Sequence, residues 1–111
     1  MKIAQEEIFG PVLATLTFDD IEEVAALANK NVYGLAAAVW TNDIKKAHQI
    51  SRRLKAGTVW INTYGVMDAA LPFGGYKQSG FGRELGPWGL EEYLETKQVF
   101  VNLDETPIGW Y

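Results

Sequence analysis

Side chains suited to binding or catalysis are few in this sequence, and most lie near the N-terminus or in a glycine-rich stretch. Glu6 and Glu7 offer carboxylate oxygens that accept hydrogen bonds, and Phe9 adds an aromatic face two residues later. The single histidine, His48, is flanked by lysines and arginines and is interpreted as a surface residue rather than a ligand or base. Cysteine is absent, which excludes disulfides, thiolate metal sites and thiol nucleophiles within this chain.

Glycines crowd the stretch from 74 to 86, which invites comparison with a phosphate-binding loop. Gly80 and Gly82 are followed by the third glycine one residue too late for the G-x-G-x-x-G pattern, and no predicted strand precedes them. We therefore reject a nucleotide site here and interpret the glycines as allowing tight turns and close backbone approach. Three polar side chains are expected to tie this stretch down: Lys77, Ser79 and Arg83.

Composition excludes several classes of protein. The 111 residues carry 10 basic and 14 acidic side chains, a net charge of -4, and these are scattered rather than gathered into a basic stripe. This distribution argues against nucleic-acid binding. Apolar stretches end well before the ~18 residues needed to span a bilayer, so we expect no membrane segment and a cytoplasmic protein.

Hydrophobic periodicity indicates alternating strands and helices. Val12–Phe18 alternates with a period of two and predicts a strand. Asp20 and Glu23 form a capping box that starts a first helix ending near Lys30. The continuous apolar run Leu35–Trp40 then predicts a strand covered on both faces.

A second helix is predicted with Asn42 as its N-cap, and Gly57 is expected to provide a left-handed C-terminal cap. Thr58–Ile61 follows as a third strand. The alternation of strands and helices predicts an α/β fold with a short parallel sheet and covering helices.

The remainder of the chain is dominated by a loop from 62 to 89, whose length is typical of functional or disordered loops. A short helix is predicted over Leu90–Glu95 and an alternating strand over Gln98–Leu103. That strand has no hairpin partner in the sequence, so its edge is expected to seek another chain.

Five segments, in order, match motifs of a known family. They are Gln5–Pro11 (QEEIFGP), Asn31–Thr41 (NVYGLAAAVWT), Gly57–Asn62 (GTVWIN), Pro72–Gly86 (PFGGYKQSGFGRELG) and Gly89–Val99 (GLEEYLETKQV). Together they resemble the last fifth of the NAD(P)-dependent aldehyde dehydrogenases. The opening Met1–Ala4 also resembles sequence internal to family members, so we expect Met1 to correspond to an internal methionine.

The resemblance implies a division of the chain into two parts. Residues 1–96 would be a partial segment of the catalytic domain, and residues 97–111 would be a projecting oligomerisation strand and tail. The segments that carry the nucleophilic cysteine, the general-base glutamate and the dinucleotide-binding glycines in the family are not matched.

The resemblance also implies a cofactor site. Glu7 would accept hydrogen bonds from the ribose hydroxyls beside the nicotinamide, and Phe9 would pack near the nicotinamide ring. The alternatives are a solvated carboxylate pair for Glu6 and Glu7 and a core aromatic for Phe9. NAD or NADP is expected in the complete enzyme, and neither is expected to bind this chain tightly.

A substrate-pocket wall is implied at the start of the long loop, where Thr63, Met67 and Phe73 would contact the aldehyde alongside Asn62 and Tyr64. The alternative is that these are ordinary packing residues. Family members often have an aromatic residue at the position of Met67, so the shape of the substrate is left open.

An interface is implied at the other end. Arg83 and Glu95 are candidates for an ion pair, within the chain or across a subunit boundary, and the alternative is two solvated charges. Val99 and Val101 would lie in a strand that joins a partner's sheet, with Trp88, Trp110 and Tyr111 as aromatic contacts or core residues. We expect a homo-oligomer, with a full-length aldehyde dehydrogenase as a second candidate partner.

Two functions follow from these expectations. The first is a C-terminal fragment of an oxidoreductase that oxidises aldehydes to carboxylic acids and is inactive alone, because the chain has no cysteine to attack an aldehyde. The second is a non-catalytic module that self-associates or docks onto a dehydrogenase. An independent NAD-binding module is not favoured, because two contacts would not offset the entropy of ordering so large a ligand.

Overall fold

The computed structural model describes residues 1–106 and 109; the predicted aromatic contacts of Trp110 and Tyr111 lie outside the described residues. A 3₁₀ turn at Lys2–Ala4 opens the chain. The described elements then follow in the order α1 (Ile21–Asn29), β1 (Tyr33–Gly34), β2 (Ala36–Val39), α2 (Ile44–Ser51), β3 (Thr58–Ile61), β4 (Tyr76–Lys77) and α3 (Gly86–Glu91).

Helix α1 begins where the sequence predicts. The Asp20 carboxylate accepts a hydrogen bond from the Glu23 backbone N–H at 2.8 Å, which satisfies one of the free donors at the helix start. The Glu23 carboxylate in turn accepts a hydrogen bond from the N–H of Asp19, also at 2.8 Å, one residue earlier than in the standard capping box. The predicted helix start is therefore confirmed.

Strands β2 and β3 form the predicted parallel pair, with Ala36 opposite Thr58 and Val39 opposite Ile61. Helix α2 connects them and contacts both strands. Its Ala47 is fully buried, as a small residue facing a sheet should be. The strands are exposed or half-buried rather than covered on both faces, because the sheet has only two strands and a few helices to cover it.

The predicted strand Val12–Phe18 is not present. Among the described residues, this segment makes one backbone bond, from Val12 N–H to the carbonyl of Gly10. A strand exists only by pairing with a neighbour, and the chain places none beside this segment. Its apolar side chains consequently remain exposed, Leu13 at 89% and Phe18 at 54%.

Both ends of α2 differ from the prediction. The N-cap is Asp43, whose carboxylate accepts from the N–H groups of Lys45 and Lys46 at 2.9 and 3.1 Å. The helix ends at Ser51, so Gly57 does not cap it. Gly57 instead lies against Gly74, whose carbonyl oxygen would be 1.6 Å from a Cβ at this position. Glycine is required here by close backbone approach rather than by a helix end.

The C-terminal elements also differ. Helix α3 covers Gly86–Glu91 instead of Leu90–Glu95, because Pro87 occupies the first turn, where its fixed φ favours helix and its missing N–H costs nothing. The segment Gln98–Leu103 is assigned no strand, since the described chain offers it no strand edge.

The long loop is more ordered than its composition suggests. β4 pairs antiparallel with β1, and Phe73 and Glu84 exchange two backbone hydrogen bonds of 2.8 and 2.7 Å. These contacts fold the 62–89 segment back onto the start of the sheet.

The molecule exposes far more surface than a self-contained domain of its length. Its accessible area is 9806 Å², whereas a folded monomer of this size is expected to expose roughly 6,100 Å². The Cα radius of gyration is 21.4 Å, against roughly 13 Å for a compact domain. The buried apolar side chains described are Ala25, Ala47 and Ile50. The described core is therefore small, and much of the apolar surface of the described residues is exposed.

Candidate functional site

A groove of about 790 Å³ separates the N-terminal segment from the start of the sheet. One wall is formed by residues of the stretch 3–16, including Glu7 and Phe9. The opposite wall comes from the end of α1 and the start of β1 and β2, with Tyr64 and Ser79 added from the long loop. The groove is where this chain could hold an extended ligand.

The Glu7 carboxylate is exposed and makes no hydrogen bond or salt bridge to any described residue. Its neighbour Glu6 differs, because it lies 3.8 Å from the ammonium of Lys2. Phe9 is 98% exposed and is not a core aromatic of this chain. Both predicted cofactor residues thus line the groove and are free to contact a ligand.

The far wall of the groove is held by the glycine-rich stretch. Gly34 N–H donates to the Ser79 hydroxyl at 2.9 Å, and Lys77 Nζ donates to the carbonyl oxygens of Asn29 and Asn31 at 3.3 and 2.6 Å. The prediction that Lys77 and Ser79 tie the loop down is confirmed.

Arg83 stabilises the same loop from within. Its guanidinium donates to the carbonyl of Gly75 at 3.0 Å and lies 5.3 Å from the centre of the Tyr76 ring, a cation–π distance. Its backbone N–H donates to Glu92 at 3.2 Å. Among the described residues Arg83 forms no ion pair with Glu95, so only the pairing across a subunit boundary stays a prediction.

The predicted substrate residues lie in different parts of the loop, and their role in binding an aldehyde stays a prediction. Thr63 is half-buried just after β3, and Met67 is 57% exposed further along the loop. Phe73 instead lines a second cavity of about 370 Å³ together with Arg83 and Tyr93. Tyr64 lines the groove that contains Glu7.

Asn62 fixes the start of this loop, a role that the sequence analysis missed. It adopts a left-handed backbone conformation, with φ of 55°. Its side-chain oxygen accepts from Thr41 N–H at 2.9 Å, and its side-chain nitrogen donates to the Thr41 carbonyl at 3.0 Å. Asparagine is among the few residues that enter this region readily, and its position directly after a strand was the available signal.

Trp60 fixes the other end of the same short turn. Its indole N–H donates to the carbonyl of Val66 at 2.8 Å, and its ring meets Tyr64 edge-on, with centroids 5.0 Å apart. The turn from 62 to 66 is therefore held at both ends. It lies at the carboxyl edge of β2 and β3, the edge at which α/β sheets commonly bind ligands.

The described residues contain no group of three or more potential metal-ligating side chains, and His48 sits on α2 among exposed charges. No described helix is long and apolar enough to cross a membrane. The groove offers a carboxylate, aromatic faces and backbone groups, the kinds of group that line ligand sites. It supplies no thiol, because the sequence has no cysteine.

Comparison with known proteins is consistent with these features. Residues 1–99 match the model of the aldehyde dehydrogenase family. The chain is 55% identical to betaine aldehyde dehydrogenase of Bacillus subtilis over 100% of its own length and 23% of the relative. It is 57% identical to human mitochondrial aldehyde dehydrogenase over 95% of this chain and 20% of that protein.

Solved structures agree in fold. Betaine aldehyde dehydrogenase of Staphylococcus aureus, crystallised with NAD⁺, superposes with a TM-score of 0.91 at 50% identity, over 100% of this chain and 22% of that one. The NAD⁺ complex of a Bacillus cereus aldehyde dehydrogenase gives 0.88 at 60% identity, over 94% and 21%. The chain spans about a fifth of the length of these relatives. By sequence and by fold, it is a member of the aldehyde dehydrogenase family.

Proposed function

We propose that this chain forms the C-terminal part of the catalytic unit of an enzyme that oxidises aldehydes to carboxylic acids with NAD(P). The observation that carries the proposal is the pairing of an unbonded Glu7 carboxylate with an almost fully exposed Phe9 on one wall of an open groove. Neither side chain has a structural task within the described chain, so both are available to a ligand.

The groove residues fit one end of a dinucleotide. Glu7 would accept hydrogen bonds from two ribose hydroxyls, since a carboxylate has two acceptor oxygens. Phe9 would pack against the nicotinamide, and Tyr64 extends the aromatic surface of the groove. The bound cofactor supplies the hydride acceptor. These residues do not provide a pyrophosphate site, so tight NAD binding requires the rest of the enzyme.

The isolated chain is proposed to be inactive. Family chemistry needs a thiolate to attack the aldehyde carbon, and this sequence has no cysteine. The chain therefore contributes binding surface and positioning, while a second polypeptide region contributes the nucleophile and the general base.

Complementation tests this division of labour. The chain is co-expressed with Bacillus subtilis betaine aldehyde dehydrogenase truncated just before its matching segment, and NADH formation is followed with several aldehydes. We expect no activity from either part alone and activity from the co-purified pair. NADH production by the chain alone, or a stable pair without activity, would refute the proposal.

Two matched variants sharpen this test. Glu7→Gln removes the charge that would bind the ribose, so the KM for NAD in the complemented enzyme should rise about 10-fold, the scale of a charged hydrogen bond. Glu6→Gln removes the neighbouring charge, which also lines the groove but lies 3.8 Å from the Lys2 ammonium, and should change this KM less than twofold. Equal effects of the two variants would argue against a specific role for Glu7.

A second candidate function is self-association or docking through residues 97–111. It is favoured by the exposure of Val99 and Val101, 74% and 69%, in a segment that pairs with no strand among residues 1–106. The area this one chain exposes beyond that of a compact monomer, roughly 3,700 Å², is more than the roughly 1,000–2,500 Å² that each partner commonly contributes to an obligate interface.

Light scattering on a sizing column tests this candidate. The unchanged chain should elute as a discrete oligomer, and Val99→Lys combined with Val101→Lys should yield monomer, because charge on the pairing face opposes association. Gln98→Lys, with charge added to the opposite face of the segment, is the control. A monomeric unchanged chain would eliminate self-association and leave docking onto a dehydrogenase.

A further inference from the structure

The glycine-rich loop wraps around the segment that joins α1 to β2. β4 pairs with β1, Gln78 N–H donates to the Val32 carbonyl at 3.1 Å, and Ser79 accepts from Gly34 N–H at 2.9 Å. These bonds join parts of the chain more than 40 residues apart. Most of these bonds join backbone groups. The side chains that take part are the Ser79 hydroxyl and the Lys77 ammonium.

The Lys77 ammonium lies at the C-terminal end of α1. It donates to the carbonyl oxygens of Asn29, the last helical residue, and Asn31, at 3.3 and 2.6 Å. The last carbonyls of a helix lack partners and carry the negative end of the helix dipole, so a cation is well suited to this position. No basic residue of α1 itself occupies the last turn. The C-cap residue is Lys30, and Lys77 adds from the loop a second cation, which bonds the Asn29 carbonyl directly.

Two backbone features accommodate this contact. A Cβ added to Gly34 would lie 3.1 Å from Cε of Lys77 and 2.3 Å from the carbonyl oxygen of Lys55, so the lysine stem passes over a position that has no room for a side chain. Lys77 itself has a φ of 54°, a left-handed conformation that costs a non-glycine residue about 1 kcal/mol or more. Such a conformation persists only where surrounding contacts fix it.

The contacts of Lys77 shape the groove. Asn31, Gly34 and Ser79 line the same groove as Glu7, on its opposite wall. Lys77 donates a hydrogen bond to the Asn31 carbonyl, and it lies beside Gly34 and Ser79. Loss of its ammonium would free the loop at the point where it forms that wall.

We propose that Lys77 is a positioning residue: by bonding the carbonyl of Asn29 at the end of α1 and that of Asn31 just beyond it, Lys77 fixes the groove wall that faces Glu7. The link from this wall to NAD rests on the proposed function, whereas the link from Lys77 to the wall does not. The two links can be tested separately.

Hydrogen–deuterium exchange of the 111-residue chain tests the structural link. Lys77→Met keeps the stem and removes the ammonium, so the Gly34 and Gln78 amides should exchange about 10-fold faster, while amides within α2 keep their protection. Lys77→Arg restores the cation and should recover part of the protection. Lys46→Met, at an exposed lysine of α2, is the control and should leave both amides unchanged.

Two results of the exchange experiment would overturn the proposal. Unchanged exchange in Lys77→Met would show that the ammonium does not hold the wall, and equal acceleration in α2 would assign Lys77 to general stability. In the unchanged chain, the ammonium protons of Lys77 should exchange with water more slowly than those of Lys46 in NMR spectra. Equal rates would overturn the proposal even if Lys77→Met failed to fold.

The functional link is tested in the complemented enzyme. Lys77→Met should raise the KM for NAD several-fold with little change in kcat, because the wall positions the cofactor and takes no part in the reaction. Faster amide exchange with an unchanged KM would refute the link to the cofactor and leave the structural link standing. Failure of complementation itself would count against the proposed function and not against the role of Lys77 in the wall.

Discussion

The centre of the molecule and its flanks have similar hydrophobic patterns but differ in burial and in strand pairing. Residues 33–61 contain an alternating and apolar pattern that folds into β2, α2 and β3, with Ile50 only 7% exposed. Residues 12–18 show an equally regular pattern, yet Leu13 is 89% exposed and the segment pairs with nothing in the described chain. The difference is the presence of a neighbouring strand. Helix α2 brings β3 alongside β2, whereas no described segment lies alongside the flanks.

A hydrophobic pattern with a period of two therefore identifies an apolar face of a segment, but it does not establish that the segment is a strand. Burial of that face and pairing of its backbone depend on a second segment, which the periodicity does not specify. The segment Gln98–Leu103 behaves in the same way at the other end of the chain. Its pattern alternates, yet it forms no strand and Phe100 is 82% exposed. Both flanks leave their apolar side chains exposed in the described chain.

The largest expected effect of a single change is at Gly57, in the centre. Gly57→Ala would place a Cβ 1.6 Å from the carbonyl oxygen of Gly74, so backbone must move and the free energy of unfolding should fall by at least about 3 kcal/mol. Urea denaturation followed by circular dichroism measures this loss.

Gly10→Ala is the matched change in a flank, where an added Cβ meets nothing within 4 Å. It should alter the free energy of unfolding by less than about 0.5 kcal/mol. If Gly10→Ala lowered the free energy of unfolding as much as Gly57→Ala, the two regions would not differ in packing as described.

A smaller effect is expected from truncating the core. Ile50→Ala should cost about 2–3 kcal/mol of unfolding free energy, because Ile50 is among the few buried apolar side chains. Leu13→Ala removes a comparable side chain from a flank and should cost almost nothing in the isolated chain. In the complemented enzyme Leu13→Ala should become destabilising, and thermal melts of the two forms would compare these costs directly.

The helix cap of α1 is expected to contribute less. Asp20→Ala removes the acceptor of the Glu23 N–H and should cost about 1 kcal/mol. Asp19→Ala is the control, because only the backbone of Asp19 takes part in the cap. The difference between the two melting temperatures gives the contribution of the Asp20 side chain, and equal melting temperatures would contradict it.

The smallest effect concerns the C-terminal flank. The backbone N–H of Thr106, followed by its side chain, lowers the pKa of the exposed Asp104 carboxyl below its ordinary value of 3.8. A lowered pKa means that the turn is favoured above the ordinary pKa and is lost as pH falls through the folded pKa. An NMR titration should show Thr106→Ala raising the pKa of Asp104 only in part, since the backbone bond of 3.0 Å is retained. An unchanged pKa would exclude any part for the Thr106 side chain.

Local signals accounted for what the sequence predicted correctly. The Asp20 cap and the β2–α2–β3 unit depend on residues close in sequence, so composition and periodicity were sufficient. The N-cap of α2 was misplaced by one residue because Asn42 and Asp43 are both good caps. The anchoring of the loop by Lys77 was predicted from residue type and is seen in its two hydrogen bonds, whereas the cofactor role of Glu7, implied by the motif, stays a prediction.

Features that depend on distant parts of the chain could not be predicted in this way. The pairing of β1 with β4 involves only two residues on each side and leaves no periodic pattern. The left-handed Asn62 depends on a hydrogen-bonded exchange with Thr41 across the sheet edge. The cavity that Phe73 shares with Arg83 and Tyr93 joins residues of the loop to residues beyond α3, a contact that the sequence does not display.

The register of the two sheets carries a consequence for folding kinetics. Ala36 pairs with Thr58 through a helical connection, whereas Tyr33 and Lys77 are twice as far apart along the chain. Doubling the length of a closed loop adds about 0.6 kcal/mol of entropic cost, and non-local pairing slows folding. The β2–α2–β3 unit should therefore form first and serve as the surface on which the glycine-rich loop later closes. During biosynthesis the groove wall would then be the last part to mature, after its scaffold is already in place.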